Sequence, residues 1–194
     1  MEPWLVVGLG NPGSTYAAHR HNIGYAVVEE LADRMGARFR SPRGLRAEVA
    51  EGRIGPVGPD AVRVALAKSR TFMNETGGAV AGLLNYLKIK PDQLVVIHDE
   101  LDIDPGQLRT KFGGGDNGHN GLRSIRKALG TGDFFRVRVG IGRPPGRQDP
   151  ADFLLSNFAS SDRDWLAAEV ARAADAVESL LSVGLERTQN AFNT

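Results

Sequence analysis

No cysteine occurs in the 194 residues of this chain, which excludes disulfides, thiolate zinc sites and a thiol nucleophile and suits a reducing compartment, the cytoplasm by default. No apolar stretch approaches the ~20 residues needed to span a bilayer. The opening Met1-Glu2-Pro3-Trp4 enters apolar sequence without a basic region, so neither a membrane segment nor a secretion signal is expected. Gly-x-Ser-x-Gly is missing, and so is any His-Glu-x-x-His spacing. The first absence removes the usual signature of an activated serine, the second that of a zinc hydrolase. Repeats, low-complexity tracts and linkers are lacking too, so residues 1–194 are expected to form one domain around one buried core.

What the chain does contain is a set of four short polar motifs that pair Asn with Gly or His: Gly10-Asn11-Pro12-Gly13, His21-Asn22-Ile23-Gly24, Phe72-Met73-Asn74-Glu75 and Gly118-His119-Asn120-Gly121. An unpaired carboxamide costs roughly 1 to 3 kcal/mol to bury, so Asn is a poor core residue. It is a good reader of ester and peptide groups, because it offers two donors and an acceptor in one plane. Segments so far apart share a purpose only if the fold gathers them.

Trp4 to Leu9 is a short apolar run ended by a turn signal and predicts a buried strand. Ile23, Val27, Val28, Leu31 and Met35 form a helical stripe, with Gly36 as its C-cap. An edge strand is expected near Ala47 to Val49, a clearer strand over Ala61 to Leu66 and a helix over Ala79 to Leu87. Leu94-Val95-Val96-Ile97 is the strongest strand signal, and His98-Asp99-Glu100 follows at its carboxyl end, where α/β folds place their sites. Further on, the pattern predicts a strand over Arg109 to Phe112, a short basic helix over Leu122 to Leu129 and a strand over Phe135 to Ile141. In that last strand Val137, Val139 and Ile141 alternate with Arg136 and Arg138, giving one core face and one basic face. A long helix is expected over Asp164 to Leu181. Together these give a single α/β domain, a twisted mixed β-sheet with helices on both faces.

Net charge is only +1, but its distribution is uneven. Between Pro105 and Pro150 nine basic residues (Arg109, Lys111, Arg123, Arg126, Lys127, Arg136, Arg138, Arg143, Arg147) face three acidic ones (Asp116, Asp133, Asp149), a net of +6. Such a stripe suits a polyanion such as nucleic acid, and equally a solvated helical surface.

Gly8-Leu9-Gly10-Asn11-Pro12-Gly13 fits the glycine spacing of dinucleotide-binding loops, yet the acidic residues at the required distance, Glu29 and Glu30, fall within the first helix. The histidines His19, His21, His98 and His119, with Asp99 and Glu100, form an admissible metal set without a specific ligand spacing. With no side-chain nucleophile in view, water is the remaining one for hydrolysis. A histidine oriented by a carboxylate is a suitable base near neutral pH, and His21 with Asp99 is the favoured pair.

In order along the chain, Gly8-Leu9-Gly10-Asn11-Pro12-Gly13, Arg20-His21-Asn22-Ile23-Gly24, Phe72-Met73-Asn74, His98-Asp99-Glu100-Leu101-Asp102 and Gly113-Gly114-Gly115 through Gly118-His119-Asn120-Gly121-Leu122 resemble the bacterial-type peptidyl-tRNA hydrolase family. The match runs from Leu5 to about Pro144, and the tail is similar only in length and helical character. The resemblance implies cofactor-free, metal-free hydrolysis of the ester between a peptide and the terminal ribose of tRNA, with peptidyl-tRNA as partner and no obligate protein partner, in a cytoplasmic monomer. It implies His21 as the base, Asp99 as the group that holds it and Asn11 as the reader of the scissile region, distinguishing a blocked peptidyl group from a free aminoacyl one. Asn74 and Asn120 would orient ester or water; Tyr16, Phe72 and Met73 would line the groove; Lys111 and Arg138 would clamp the tRNA backbone, with Arg109, Arg123, Arg126 and Lys127 extending the surface. Two positions depart from the family pattern: His19 stands where Thr is common, beside His21, and Thr76 where Ser is usual. Two other classes remain as alternatives, an RNA-binding module of the same fold without hydrolysis and a metallohydrolase of another ester.

Overall fold

The structure, a computed structural model, describes residues 2–193. Six strands form one sheet: β1 (Trp4–Gly8), β2 (Ala47–Ile54), β3 (Val62–Ser69), β4 (Leu94–Glu100), β5 (Leu108–Phe112) and β6 (Phe135–Gly140). They lie in the order β2-β3-β1-β4-β6-β5. β3, β1, β4 and β6 run parallel, and the edge strands β2 and β5 pair antiparallel. The sheet is therefore mixed, as the sequence pattern predicts. The helices are α1 (Ile23–Met35), α2 (Thr76–Leu87), α3 (Asn120–Leu129), α4 (Pro150–Leu154), α5 (Arg163–Val183) and α6 (Leu185–Phe192).

Strand alternation divides the core. Val6, Leu66, Val95, Ile97, Val137 and Val139 pack with α1 and α5 on one face, while Leu5, Val7, Ala67, Leu94, Val96 and Phe134 pack with α2 and α3 on the other. Both faces of the central strands are covered, which is why those strands read as continuous apolar runs. The chain leaves β1 through α1 toward β2 and β3, then crosses through α2 to β4 on the opposite side of β1. The crevice beyond the carboxyl ends of β1 and β4 is thus a topological switch point, the ordinary place for a site in such a sheet.

Backbone contact brings the start of α1 into that crevice. A Cβ on Gly24 would lie 2.5 Å from the Ile97 carbonyl oxygen and 2.6 Å from the Leu9 nitrogen, and one on Gly8 would lie 2.1 Å from the Gly24 carbonyl oxygen. No side chain fits between helix and strands, so His21, one turn earlier, is held at the strand ends. Gly24→Ala is expected to destabilise the protein by about 3 kcal/mol or more; an unchanged urea midpoint would show that α1 can shift without cost.

The predicted first helix matches α1 from Ile23 to Met35, and Gly36 takes the left-handed conformation at φ 64° that a C-cap glycine favours. The glycine run after β1 turns, with Gly13 at φ 99°, rather than opening a dinucleotide-binding helix. Three expectations need correction. The edge strand near Ala47 continues to Ile54, because β2 pairs with β3 residue for residue over that length. The basic face of β6 is only partly open: Arg138 is half-buried, and Arg136 is fully buried beneath the Gly113–Gly115 turn. The tail adds α4 and α6, too short for a periodic signal. The side chain of Asn193 accepts from the Thr110 backbone N–H (2.7 Å) and donates to the Thr110 carbonyl (3.0 Å), so that the segment after α6 pairs with edge strand β5.

Candidate active site

Three segments meet at the strand ends. His21 sits in the single helical turn Arg20–Asn22 that precedes α1, Asp99 next to the end of strand β4, and His119 at the N-cap of α3. Asp99 is buried between the two rings: His21 Nδ1 lies 2.7 Å from Oδ2, and His119 Nε2 lies 2.7 Å from Oδ1. The rings are 5.0 Å apart between centroids.

Proton positions follow from the partners. His119 Nδ1 accepts from the Gly121 and Leu122 backbone N–H groups at 3.1 and 3.4 Å, so its proton resides on Nε2 and is donated to Asp99. His21 donates from Nδ1 to the same carboxylate, which leaves Nε2 as its basic nitrogen. Burial alone would raise the Asp99 pKa, but the His21 and His119 rings hold it well below the usual carboxylate range. Burial disfavours the charged form of His21, and the Asp99 charge and hydrogen bond outweigh it, so its pKa lies above the ordinary imidazole value. His98 is fully buried and pushed down to about 3, first by desolvation and then by His119; it donates from Nδ1 to the Asp99 carbonyl at 2.7 Å.

The ligand atoms of His21, Asp99 and His119 lie within 4.8 Å of one another, close enough to be considered for a cation. As arranged, both Asp99 oxygens face imidazole nitrogens at 2.7 Å, which is direct hydrogen-bond contact, whereas two ligands each about 2.1 Å from one tetrahedral ion would stand about 3.4 Å apart. The constellation is a carboxylate orienting two imidazoles, one of which keeps a free basic nitrogen.

Asn11 and Asn22 clasp each other across this site. The Asn11 N–H donates to Asn22 Oδ1 (2.9 Å) and Asn22 Nδ2 donates to the Asn11 carbonyl (2.8 Å). Asn11 Oδ1 in turn accepts from the Met73 N–H at 2.7 Å, which fixes the carboxamide. Met73 itself is buried, with its sulfur against Gly121, so it supports the groove from below. Phe72 is half-exposed and stands edge-on to Tyr16 at 5.9 Å. Asn74 and Asn120 are exposed. His19 packs edge-on to Tyr16 at 5.4 Å and bridges to Asn157 through its backbone, while Thr76 is fully buried.

Lys111 and Arg138 lie on the neighbouring strands β5 and β6. Arg138 donates to Glu100 Oε1, which also accepts from Asn117 Nδ2 at 2.8 Å. Arg20 straps the following segment to the site, donating to Ser156 Oγ and the Asn157 carbonyl at 2.7 Å each. The sequence suggests no role for Asn22, and none for His119 or Glu100 beyond membership of a candidate metal set. Each lies inside a motif already singled out, adjacent to a residue that was assigned.

A doubly covered α/β sheet with a His–carboxylate–His site at its strand ends and a cationic strand pair beside it defines a class of site suited to hydrolysis of an ester on an anionic substrate. The chain belongs to the peptidyl-tRNA hydrolase family, which it matches over residues 5–194. The match includes the tail that sequence reasoning left outside it. Similar relatives include the peptidyl-tRNA hydrolases of Streptomyces coelicolor, 57% identical with 99% of this chain and 96% of that protein covered, and of Cutibacterium acnes, 53% identical with 98% of each covered. The crystal structure of the Acinetobacter baumannii peptidyl-tRNA hydrolase superposes with a TM-score of 0.86 at 34% identity, covering 97% of this chain and 93% of that one.

Proposed function

We propose that this protein hydrolyses the ester between a peptide and the terminal ribose of tRNA, with water activated at His21 Nε2. The observation that carries this reading is Asp99, buried and accepting from His21 Nδ1 at 2.7 Å, since that contact leaves Nε2 unprotonated and directed as a base. Water loses a proton to Nε2 as its oxygen bonds to the ester carbon. The tetrahedral species then collapses, the bond to the ribose oxygen breaks, and the imidazolium returns the proton to that oxygen. Peptide carboxylate and tRNA with a free hydroxyl result. The carbonyl oxygen gains charge on the way, and a fixed carboxamide donor aimed at it contributes a few kcal/mol of selective stabilisation.

Asn11, locked by Met73 and Asn22, is suited to read the scissile region, and Asn74 and Asn120 to orient ester or water. Tyr16 and Phe72 offer aromatic faces to the peptide and terminal adenosine, with Met73 beneath. A cysteine-free chain acting on a product of translation suits the cytoplasm, as a monomer. No helix among the described residues is long and apolar enough to cross a membrane.

The test mixes the purified protein with N-acetyl-aminoacyl-tRNA or free aminoacyl-tRNA in EDTA. Cleavage of the blocked ester alone is expected. Tight tRNA binding without cleavage would instead make the protein an RNA-binding module, and loss of activity in EDTA would make it a metallohydrolase. Lys111 and Arg138 serve as the phosphate clamp. Lys111→Ala and Arg138→Ala are therefore expected to raise KM for the tRNA substrate on the order of tenfold, with a far smaller change for a short nucleotide ester. Equal losses on the two substrates would remove the clamp.

A further inference from the structure

Register across β5 and β6 places Arg109 opposite Arg138 and Lys111 opposite Arg136. Residues directly opposite in an antiparallel pair share a face, as do positions two apart along a strand, so these four cations form a square on one side of the sheet. Three of its members reach solvent; Arg136 is fully buried. Its Nη2 donates to the Gly114 and Gly132 carbonyls at 2.8 and 3.0 Å, its Nη1 to the Gly115 carbonyl, and the guanidinium lies 4.5 Å from the Phe134 ring centroid. Nε has no partner. Among the described residues no carboxylate pairs with it: Glu100 is taken by Arg138, and Asp116 by Arg123 and Arg126.

Carbonyls engage both terminal nitrogens of this group but do not neutralise its charge, on which Asp116 and Asp133 act only through space. Burying an ion without a counter-ion costs several kcal/mol, and an apolar side chain of similar size commonly does better. Stability therefore does not account for a cation here. Neighbouring groups feel the charge, since Lys111 is lowered from the ordinary lysine value by desolvation, then by Arg138 and Arg136. Among the described residues Glu100, paired with Arg138, is the one carboxylate in ion-pair contact with these four cations, so the square keeps an excess of positive charge that an anion from outside would offset.

We propose that Arg136 is a positioning residue for the tRNA backbone, a buried charge behind the clamp that raises the affinity of the Lys111–Arg138 surface for phosphate without touching it. The inference rests on the clamp reading of Lys111 and Arg138. Held inward by three carbonyls, the guanidinium acts through its field, and a charge in the low-dielectric interior is screened by salt far less than a surface one.

The test compares Arg136→Met, Arg136→Lys and Lys111→Ala with the wild type, measuring kcat and KM for N-acetyl-aminoacyl-tRNA over a KCl series. Arg136→Met is expected to raise KM roughly tenfold with the loss in KM rather than kcat, and Arg136→Lys, which keeps the charge but not the three-carbonyl fork, to restore it. Lys111→Ala removes a phosphate contact and lowers the slope of log KM against log salt by about one. Arg136→Met keeps the wild-type slope. A wild-type KM in Arg136→Met, a KM in Arg136→Lys as high as in Arg136→Met, or a slope loss equal to that of Lys111→Ala would each overturn the proposal; the last would mean that Arg136 merely holds Lys111 in place. Should Arg136→Met not fold, Arg136→Lys decides alone, a near-wild-type KM supporting the charge role and a raised one overturning it. If Lys111→Ala changes neither KM nor slope, the clamp itself fails and this inference falls with it, an outcome distinct from loss of effect at Arg136 alone.

Discussion

Replacement of His21 by alanine is expected to lower kcat for N-acetyl-aminoacyl-tRNA by ~10² to ~10⁴-fold, the range for removal of a positioned general base. The ring is buried at the strand ends, and its Nδ1 is committed to Asp99, so no other described side chain occupies the same place with a free basic nitrogen directed outward. His119 cannot substitute, because both its nitrogens are engaged, one by Asp99 and one by the backbone of α3. Folding should survive, since Asp99 keeps the His119 partner. Circular dichroism should stay near wild type and the melting temperature should fall, because one partner of the buried Asp99 is lost, while hydrolysis disappears from protein that is still folded. The working form of His21 is the neutral one and its pKa is raised, so wild-type kcat should climb with pH through a value above ~6.5 and then level off. Activity in His21→Ala within a few-fold of wild type would end the mechanism.

Asp99→Asn should be nearly as damaging, with ~10³ to ~10⁴-fold lost from kcat, by analogy with removal of the orienting carboxylate from a serine-protease triad. An amide of the same shape offers one acceptor where two imidazole N–H groups require two. If the oxygen faces His119, whose tautomer is fixed by Gly121 and Leu122, the NH2 group faces His21 Nδ1 and drives the His21 proton to Nε2. The base then points its proton, rather than its lone pair, at water. What activity remains should rise at lower pH than in wild type, because the charge that raises the His21 pKa has gone. Stability follows the same groups with opposite signs. The depressed Asp99 pKa contributes stability that is present above the unfolded value of ~3.9 and lost as pH falls below it. The raised His21 pKa contributes stability that is complete below ~6.5 and lost as pH rises through the folded value. Asp99→Asn should flatten both limbs in thermal unfolding against pH. Limbs parallel to those of wild type would show that the carboxylate is not linked to folding.

Much of this arrangement was legible before any coordinates. Val, Ile and Leu in the four central strands mark β1, β3, β4 and β6, and the helical stripe of α1 marks its ends, because burial on both faces leaves a strong local signal. The pairing of His21 with Asp99 was legible because Asp99 follows the most apolar strand. What stayed hidden depends on contacts between distant segments. The extension of β2 to Ile54 is set by pairing with β3, not by its own Glu51-Gly52-Arg53. The burial of Arg136 depends on Gly114, Gly115 and Gly132 curling over it, which the alternating Val/Arg pattern, one core face and one basic face, does not disclose. His119 belongs to a motif that was noticed, but only the fold shows that it reaches Asp99 across twenty residues.

The pairing of Asn193 with Thr110 carries a consequence for handling the protein. β5 is an edge strand, and the chain enters α6 through Gly184, an exposed joint at φ 88° and ψ 174°, a conformation that favours glycine. A proteolytic cut at that joint would leave α6 held only by its packing and by contacts such as Thr188 with Ser179 and Arg172 with the Phe192 carbonyl, and its departure would strip Thr110 of its amide partner and open the edge of β5 as a template for strand addition. Preparations nicked there would then lose material to β-linked aggregates with the catalytic histidine and aspartate still intact, and a falling yield of soluble protein would mimic an inactive enzyme.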